Sequence, residues 1–468
     1  MKNPDNHIAM TFMGGNEMKK MKRISALLTS GMLVSGLMLT ACGSGASEAS
    51  TTAAPAATEA ASIAADTSAA TTTAESKADA GATEAKGNGE TLTLALRSGT
   101  YADVIKKCLP DFESKYNVKT EVLELSEDDL HSKVALDATN SDGSYDLAMV
   151  DGSWMAEYTE NEVLLPLDDY GYSLDDDIIP ATTKICYGTD GKLYLAPYYG
   201  NVTVLLYNKK LAADAGYDTG DKIASLDNLK KIADSAKAAG QKGFIYRGDT
   251  PNNTVVDFLP ILLSYGGWVL DDNNQPTVNT DAFKQAMQFY QDLVATGNAE
   301  KKDDLIASID QGNGALGVGW PGWYQPTADS TADYCALTGA VEAGGETHNA
   351  NVYGVWTLGV PANSQNKELA VQLLSYLMDK DVQFSTINDG GVPCRYSALQ
   401  NEDVLKKYPQ YKVVCQALEG GVYRPVITQW TDFYTILGTE MGNILNGVKD
   451  LDTGLADAQS QLEDLMKQ

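Results

Sequence analysis

An alternation of short apolar segments with amphipathic ones, starting near residue 91, is the feature that most limits how this chain can fold. Residues 91–96 alternate as a strand does, and the next segment has apolar residues at helical spacing. Strand, helix, strand, helix and strand are predicted in turn at residues 91–96, 101–116, 118–125, 127–140 and 145–150. This order predicts a parallel sheet with helices on its faces, and Pro110 is expected to kink or split the first helix.

Aromatic and acidic residues follow two of the predicted strands. Asp151 and Trp154 come directly after residues 145–150. In the segment 312–324, a short glycine-rich strand stops at a Pro-Gly turn, which carries Trp320 and Trp323. Ligands of α/β proteins collect beyond strand ends, and flat aromatic faces suit an apolar or sugar-like surface. The alternative is that these aromatic residues simply cap the core.

The first 90 residues have the layout of an exported, tethered protein. Four basic residues at positions 19–23 precede an uncharged run, 24–41, that ends in small residues, as in a secretory signal. Residues 39–42, Leu-Thr-Ala-Cys, resemble the lipobox of bacterial lipoproteins, which implies lipid on Cys42 and removal of residues 1–41 as a signal peptide. The alternative is a buried cysteine in an ordinary membrane helix. Residues 42–90, rich in Ala, Thr, Ser and Glu, are expected to form a disordered stalk.

The charge of the chain limits its possible partners, and its cysteine content limits the number of disulfides. Removal of residues 1–41, with five basic and two acidic residues, leaves 30 basic and 61 acidic residues, a formal charge of −31. So acidic a chain is not expected to bind nucleic acid or to be attracted to anionic lipid without a covalent anchor. An odd set of five further cysteines argues for buried thiols with at most one or two disulfides. They are Cys108, Cys186, Cys335, Cys394 and Cys415.

The order of motifs along the body resembles that of the extracellular solute-binding proteins of family 1, the maltose-binding-like receptors of ABC importers. One of the motifs, Gly-Gly-Val-Pro-Cys-Arg-Tyr-Ser, resembles a loop common in the sugar-binding members. The matching segments are residues 145–151, 164–168, 196–198, 206–209, 309–323, 354–361 and 390–397. Each motif alone is weakly specific, whereas their order over most of the body is specific.

This resemblance implies an α/β, two-lobed periplasmic-binding-protein-like (class II) fold, in which each lobe is a sheet flanked by helices and hinge crossings join the lobes. Lobe one is expected at residues 91–199 plus 358–399, and lobe two at residues 200–357 plus 400–468. The implied ligand is a mono- or oligosaccharide held between the lobes, and the implied partners are the transmembrane subunits of an ABC permease. We expect a monomer that binds the membrane through the lipid on Cys42.

Candidate ligand residues combine aromatic rings with hydroxyl-binding groups, which is what a sugar requires. By the family pattern, Trp323 and Trp356 are expected to be stacking platforms, and Asp151 and Arg395 to bind hydroxyls. The further candidates are Trp154, Tyr199, Trp268, Trp320, Trp430 and Tyr434. The alternatives are core packing for each ring, a turn or N-cap role for Asp151, and an ion pair between lobes for Arg395.

Enzymatic motifs are weak in this sequence. Only His131 and His348 follow residue 42, without zinc-ligand spacing, and no G-x-S-x-G elbow is present. Residues 312–317 match G-x-G-x-x-G but precede a strand, which is the wrong context for a dinucleotide. We therefore expect no enzymatic activity, no metal and no cofactor. A binder of another polar solute, such as a polyamine or an anion, and a secreted carbohydrate-active enzyme remain as alternatives.

Overall fold

The structure is a computed structural model that describes residues 87–467 apart from 219, 328 and 338–349. The predicted signal peptide, Cys42, almost all of the predicted stalk and His348 lie outside the described residues. Within the described ranges, none of the helices combines the length and the apolar character needed to cross a bilayer.

Strands and helices alternate along most of the described chain. The strands are β1 (Thr91–Arg97), β2 (Lys119–Leu125), β3 (Leu147–Asp151), β4 (Ala196–Tyr199), β5 (Val204–Asn208), β6 (Lys242–Phe244), β7 (Gly314–Gly319), β8 (Ala332–Cys335), β9 (Val352–Tyr353), β10 (Trp356–Gly359) and β11 (Val422–Tyr423). The helices are α1 (Thr100–Tyr116), α2 (Glu127–Asp137), α3 (Met155–Glu160), α4 (Lys209–Asp214), α5 (Gly220–Ile223), α6 (Leu226–Ala238), α7 (Pro251–Ser264), α8 (Asp281–Val294), α9 (Lys302–Asp310), α10 (Lys367–Leu377), α11 (Lys380–Ser385), α12 (Tyr396–Leu399), α13 (Glu402–Lys407), α14 (Gln410–Gly420), α15 (Trp430–Leu445) and α16 (Leu451–Leu465).

The first sheet has the strand order β2-β1-β3-β10-β4. Strands β1, β2 and β3 run parallel, as the alternation of segments predicts, and β10 is antiparallel to both of its neighbours. Helix α1 continues through Pro110 as a single element. Pro110 is exposed, so the carbonyl that its ring leaves without a helical donor is open to water. The helix is therefore not split at Pro110, and a kink at that residue, the other alternative, stays a prediction.

The second sheet has the order β6-β7-β5-β8. Strand β5 runs antiparallel to β7 and β8, whereas β6 and β7 are parallel. Side chains of β5 alternate between two apolar cores: Val204 and Leu206 belong to the first, and Leu205 and Tyr207 to the second. The two sheets and the helices around them form the two lobes that the sequence predicts.

Three segments connect the lobes side by side. Val202, between β4 and β5, bridges to Tyr353 in β9, and β9 pairs in parallel with β11. Thr203 also exchanges hydrogen bonds with Val352, at 2.8 Å from its backbone N–H to the Val352 carbonyl and 2.8 Å from the Val352 N–H to its hydroxyl. We refer to Val202, β9 and β11 as the hinge strands.

Strand β10 begins at Trp356, two residues before the expected return of the chain to lobe one at residue 358. Residues of α13 and α14, among them Val404 and Leu418, pack in the first core, which contains residues of both sheets, such as Leu206 of β5. After β11 the chain returns to the second core, with Trp430 and the rest of α15. The lobe boundaries given by the resemblance stay predictions. The five described cysteines are all buried free thiols.

Candidate ligand-binding cleft

One end of the first sheet, formed by the carboxyl ends of β1, β3 and β4 and the amino end of the antiparallel strand β10, brings four aromatic residues together. Trp356 is paired with Asp151 on one side and with Tyr199 on the other. Its ring centroid lies 5.5 Å from that of Trp154 in an edge-on arrangement and 5.8 Å from that of Tyr101. Tyr101 also contacts Tyr199, at 4.8 Å. We call Tyr101, Trp154, Tyr199 and Trp356 the aromatic wall.

Most of the aromatic wall is buried. Trp154, Tyr199 and Trp356 are 4 %, 1 % and 3 % exposed, whereas Tyr101 is partly exposed. Burial raises the pKa of Tyr101 to about 12, so its hydroxyl remains protonated and able to donate at neutral pH. The structure thus brings three of the predicted residues together, and it adds Tyr101 as the member nearest to solvent.

Both carboxylate oxygens of Asp151 bind partners within the protein. Its Oδ1 accepts hydrogen bonds from the backbone N–H and the hydroxyl of Ser153, at 2.9 and 2.8 Å, which fixes the turn that leads to Trp154. Both of its oxygens also lie 2.6 Å from Nη2 of Arg424. Arg424 in turn donates from Nε to the carbonyl of Tyr353 in the hinge strands, at 3.2 Å. The turn role that the sequence left open for Asp151 is therefore present, together with a buried ion pair.

A carboxylate and an amide connect the two lobes across the cleft. Glu127 begins α2, which Ser126 caps by accepting from the N–H of Asp129 at 3.2 Å. Oε1 of Glu127 accepts a hydrogen bond of 3.0 Å from Nδ2 of Asn252 in α7. Glu127 is partly exposed, and desolvation, with a further contribution from the charge of Asp151, raises its pKa. Sequence reasoning missed this pair.

The second lobe contributes Trp323 from the turn after β7. The N–H of Trp323 donates to the carbonyl of Trp320 at 3.0 Å, which closes the Pro-Gly turn. The guanidinium carbon of Arg247 lies 4.8 Å from the Trp323 ring centroid. Trp323 remains partly exposed. Trp320 is only 7 % exposed and packs at the hinge, where a Cβ on Gly354 would lie 2.7 Å from its ring.

The Pro-Gly turn approaches the aromatic wall closely. A Cβ on Gly322 would lie 2.1 Å from the hydroxyl of Tyr199. That hydroxyl donates to the carbonyl of Gly390 at 2.6 Å, so it is fixed in place. Gly322 therefore permits a contact between the lobes that any larger residue would obstruct.

Tyr434 and Trp430 occupy the start of α15. Trp430 is 1 % exposed, stacks on Phe433 at 5.5 Å, and has no hydrogen-bond partner for its indole N–H among the described residues. Tyr434 packs edge-on against Trp430 at 5.9 Å. Burial raises the pKa of Tyr434, and the charge of Glu127 raises it further. Of these two, Tyr434 is the one that keeps some exposed area.

Trp268 and Arg395 lie apart from the aromatic wall. Trp268 packs on the second core, and its carbonyl accepts from Thr277 at 2.7 Å. Arg395 is 2 % exposed and donates to Gln383 at 2.5 Å, to Asp175 at 2.6 Å and to the carbonyl of Met378. All of these partners belong to lobe one, so the described partners of Arg395 do not form the ion pair between lobes that was the alternative. The hydroxyl contact expected of Arg395 stays a prediction.

Position in the fold explains which residues sequence reasoning missed. Glu127 comes two residues after β2, and Asp151 is the last residue of β3, so the strand-end rule that selected Asp151 could also have selected Glu127. Arg247 follows β6 in the same way. Arg424 gave no such signal, because its partner Asp151 is 273 residues away.

Comparisons with known proteins agree with this architecture. Residues 87–384 match the family model for bacterial extracellular solute-binding proteins. The chain is 24 % identical over 397 residues to a probable amino-acid ABC transporter periplasmic-binding protein of Sinorhizobium fredii, covering 81 % of this chain and 90 % of the relative. It is 22 % identical over 340 residues to an arabinooligosaccharide-binding protein of Halalkalibacterium halodurans, covering 69 % of each.

Among solved structures, the chain is similar to maltose-bound MalE3 of T. maritima. The TM-score is 0.72 at 22 % sequence identity, and the match covers 81 % of this chain and all of that one. This likeness extends over both lobes and supports the two-lobed fold. Since the family model matches most of its length, the chain belongs to the bacterial extracellular solute-binding proteins.

Proposed function

We propose that this protein is the substrate-binding subunit of an ABC importer, which captures a saccharide between its lobes and delivers it to the transmembrane subunits of a permease. The observation that carries the proposal is the position of Trp323 and Asn252 on one lobe opposite Tyr101 and Glu127 on the other. Aromatic faces suit the C–H face of a sugar, and the amide, carboxylate and phenol suit its hydroxyls. Trp323, Tyr101 and Tyr434 are proposed to contact the ligand, with the buried members of the aromatic wall behind them.

The charges around the cleft favour an uncharged ligand. Arg424 is paired with Asp151, and Arg247 with Asp257. The positive charges of Arg424 and Arg97 lower the pKa of Glu127 and so oppose the rise that desolvation causes. A polyamine would need carboxylates without cationic partners, and an anion would need arginines without acidic ones. The balance of charge therefore supports a saccharide, although the chain as a whole is acidic.

The names of similar proteins point to two ligand classes. One relative is named for arabinooligosaccharides and one similar structure holds maltose, whereas another relative is named as a probable amino-acid transporter component. An amino acid carries both an ammonium and a carboxylate, and the paired arginines of this cleft suit it poorly. We therefore propose a saccharide, in preference to an amino acid, as the ligand.

A ligand screen tests this choice. Thermal unfolding of the purified body would be followed with mono- and oligosaccharides, polyamines and amino acids, and each stabilising compound would be titrated by calorimetry. Binding to the folded state raises the unfolding temperature with the logarithm of ligand concentration. We expect stabilisation by saccharides alone. Stabilisation by a polyamine or an amino acid alone would overturn the saccharide assignment, and turnover of a glycoside would indicate an enzyme instead.

Lipid attachment at Cys42 is part of the same proposal. The basic and uncharged segments before Cys42 and the lipobox-like residues 39–42 support it. We expect the wild-type protein in the membrane fraction, with a diacylated cysteine at its N-terminus by mass spectrometry. Cys42→Ala should abolish the acylation. An unmodified wild-type Cys42 would contradict the anchor while leaving the ligand proposal intact.

A further inference from the structure

Arg247 is held rigidly beside the cleft. Its backbone N–H donates to Oδ2 of Asp257 at 3.0 Å, its Nε donates to Oδ1 of the same residue at 3.1 Å, and its Nη2 donates there as well. Nη1 donates to Oδ1 of Asn253 at 2.7 Å. Arg247 is 7 % exposed and Asp257 is fully buried. Every nitrogen of the guanidinium is thus engaged, so the plane of the group is fixed.

This fixed guanidinium covers part of Trp323. Its central carbon lies over the indole, 4.8 Å from the ring centroid. Through its charge, Arg247 also opposes the rise that burial causes in the pKa of Tyr101 in lobe one. Indole is the best aromatic partner for a cation, and a planar guanidinium can stack on it.

We propose that Arg247 is a positioning residue: it covers one face of the Trp323 indole, fixes the ring, and leaves the opposite face for the ligand. The statement about the ligand rests on the proposed function, whereas the placement of the ring does not. Because the π face already bears a cation, a second cation on the opposite face would be repelled by Arg247. Arg247 thereby selects for an uncharged sugar ring at this position.

Fluorescence quenching tests the placement without any ligand. Acrylamide quenching would be measured for the wild type and for Arg247→Lys, each with Trp323 and with Trp323→Phe, so that the difference isolates the emission of Trp323. Lysine keeps a cation for Asp257 but cannot stack as a plane. We expect the quenching constant of Trp323 to rise about twofold in Arg247→Lys, because a second face becomes accessible. An unchanged constant in the folded variant would overturn the proposal.

Two further variants keep the test decisive. If Arg247→Lys does not fold, Asn253→Ala removes one guanidinium partner and should increase the quenching of Trp323 to a smaller extent. Arg395→Lys is the matched control, because Arg395 is equally buried and bonded to a carboxylate but lies in lobe one without a described aromatic partner. It should leave the quenching of Trp323 unchanged. A similar increase in this control would show a general loosening and contradict a specific role for Arg247.

Binding of maltose and of arabinotriose tests the consequence for the ligand. Arg247→Lys should weaken the affinity for whichever saccharide binds by about fivefold. In a Trp323→Leu background the same change should weaken the affinity by less than about twofold, because the effect of Arg247 passes through the ring of Trp323. Equal weakening in both backgrounds would mean that Arg247 acts on the ligand directly. If neither saccharide binds the wild type, those sugars fail as ligands, and the quenching result still decides the role of Arg247.

Discussion

At the scale of single residues, the pairing of Asp151 with Arg424 determines what the centre of the molecule can tolerate. Asp151 is 3 % exposed and Arg424 is 6 % exposed. A buried ion pair contributes little over an apolar pair of the same shape, but removal of one partner leaves an uncompensated charge. The pair also joins the turn after β3 to the hinge strands. Its loss should therefore affect both stability and geometry.

We expect Arg424→Met to lower the free energy of unfolding by about 3–5 kcal/mol, because Asp151 remains buried without a cation. Urea denaturation at neutral pH measures this. Asp151→Asn in the same background removes the charge and should recover part of the loss. A loss below about 1 kcal/mol in Arg424→Met would show that water reaches Asp151.

A second residue-scale prediction concerns the ring of Trp323. Trp323→Ala should weaken saccharide binding by at least about 1 kcal/mol, the scale of one aromatic stacking contact. Isothermal titration calorimetry measures it. Trp268→Ala removes an indole that is also partly exposed but packs on the second core, and it should leave the affinity unchanged. Equal affinities for wild type and Trp323→Ala would place Trp323 outside the ligand contact.

Individual contacts were the least predictable part of the site. The positions of Trp154, Trp320 and Trp356 near strand ends follow from local pattern. Their burial does not, because it depends on neighbours that the fold brings from elsewhere. Arg395 illustrates the same limit, since a motif selected it whereas its partner Asp175 lies 220 residues away. The ligand roles proposed for the aromatic residues stay predictions until a ligand is bound.

At the scale of elements, the Pro-Gly turn after β7 is built for close contact between lobes. Gly322 faces the hydroxyl of Tyr199, which the carbonyl of Gly390 holds in place. A side chain at residue 322 must displace either the tyrosine or the turn. The turn thereby sets how closely lobe two approaches the aromatic wall.

Gly322→Ala should therefore weaken ligand binding by about fivefold to 140-fold, because an overpacked contact costs about 1–3 kcal/mol. Tyr199→Phe in the same background removes the obstructing hydroxyl and should restore part of the affinity. The comparison by calorimetry includes Gly442→Ala as a control, since a Cβ at Gly442 would meet nothing within 4 Å. An undiminished affinity in Gly322→Ala would mean that the turn moves freely.

Elements were predicted well where the periodicity was strong. The alternating strand at β1 and the helical spacing of α1 appear in the structure close to the predicted bounds. Short strands such as β9 and β11 have two residues each and carry no usable pattern. The packing of α13 and α14 in the first core also escaped prediction, because amphipathic spacing shows which face of a helix is buried but not which core it faces.

At the scale of the whole molecule, Glu127, which bonds to the other lobe, should make the stability of the protein depend on pH. Its pKa is raised above the ordinary 4.5, first by desolvation and then by Asp151, while Arg424 and Arg97 oppose the shift. The folded state thus retains a proton that the unfolded chain has already released. The contribution of Glu127 to stability must fall as the pH rises from about 4.5 through the raised pKa.

We expect Glu127→Gln, which resembles the protonated acid and can still accept from Asn252, to lose this part of the pH dependence. Urea midpoints between pH 4.5 and 7.5 would decline less steeply for this variant than for the wild type. Glu121→Gln, an exposed position on β2, is the control and should keep the wild-type slope. Parallel profiles for wild type and Glu127→Gln would exclude Glu127 as the source.

The hinge strands limit the motions open to the two lobes. Val202, β9 and β11 are hydrogen-bonded as neighbours rather than crossing as separate threads. We expect a ribbon of this kind to bend across its width more readily than it shears along its length. Closure of the lobes would then follow a single arc and end in the same alignment each time. Under the proposed function, a permease subunit that docks against both lobes would meet a surface of reproducible geometry, whichever saccharide is bound.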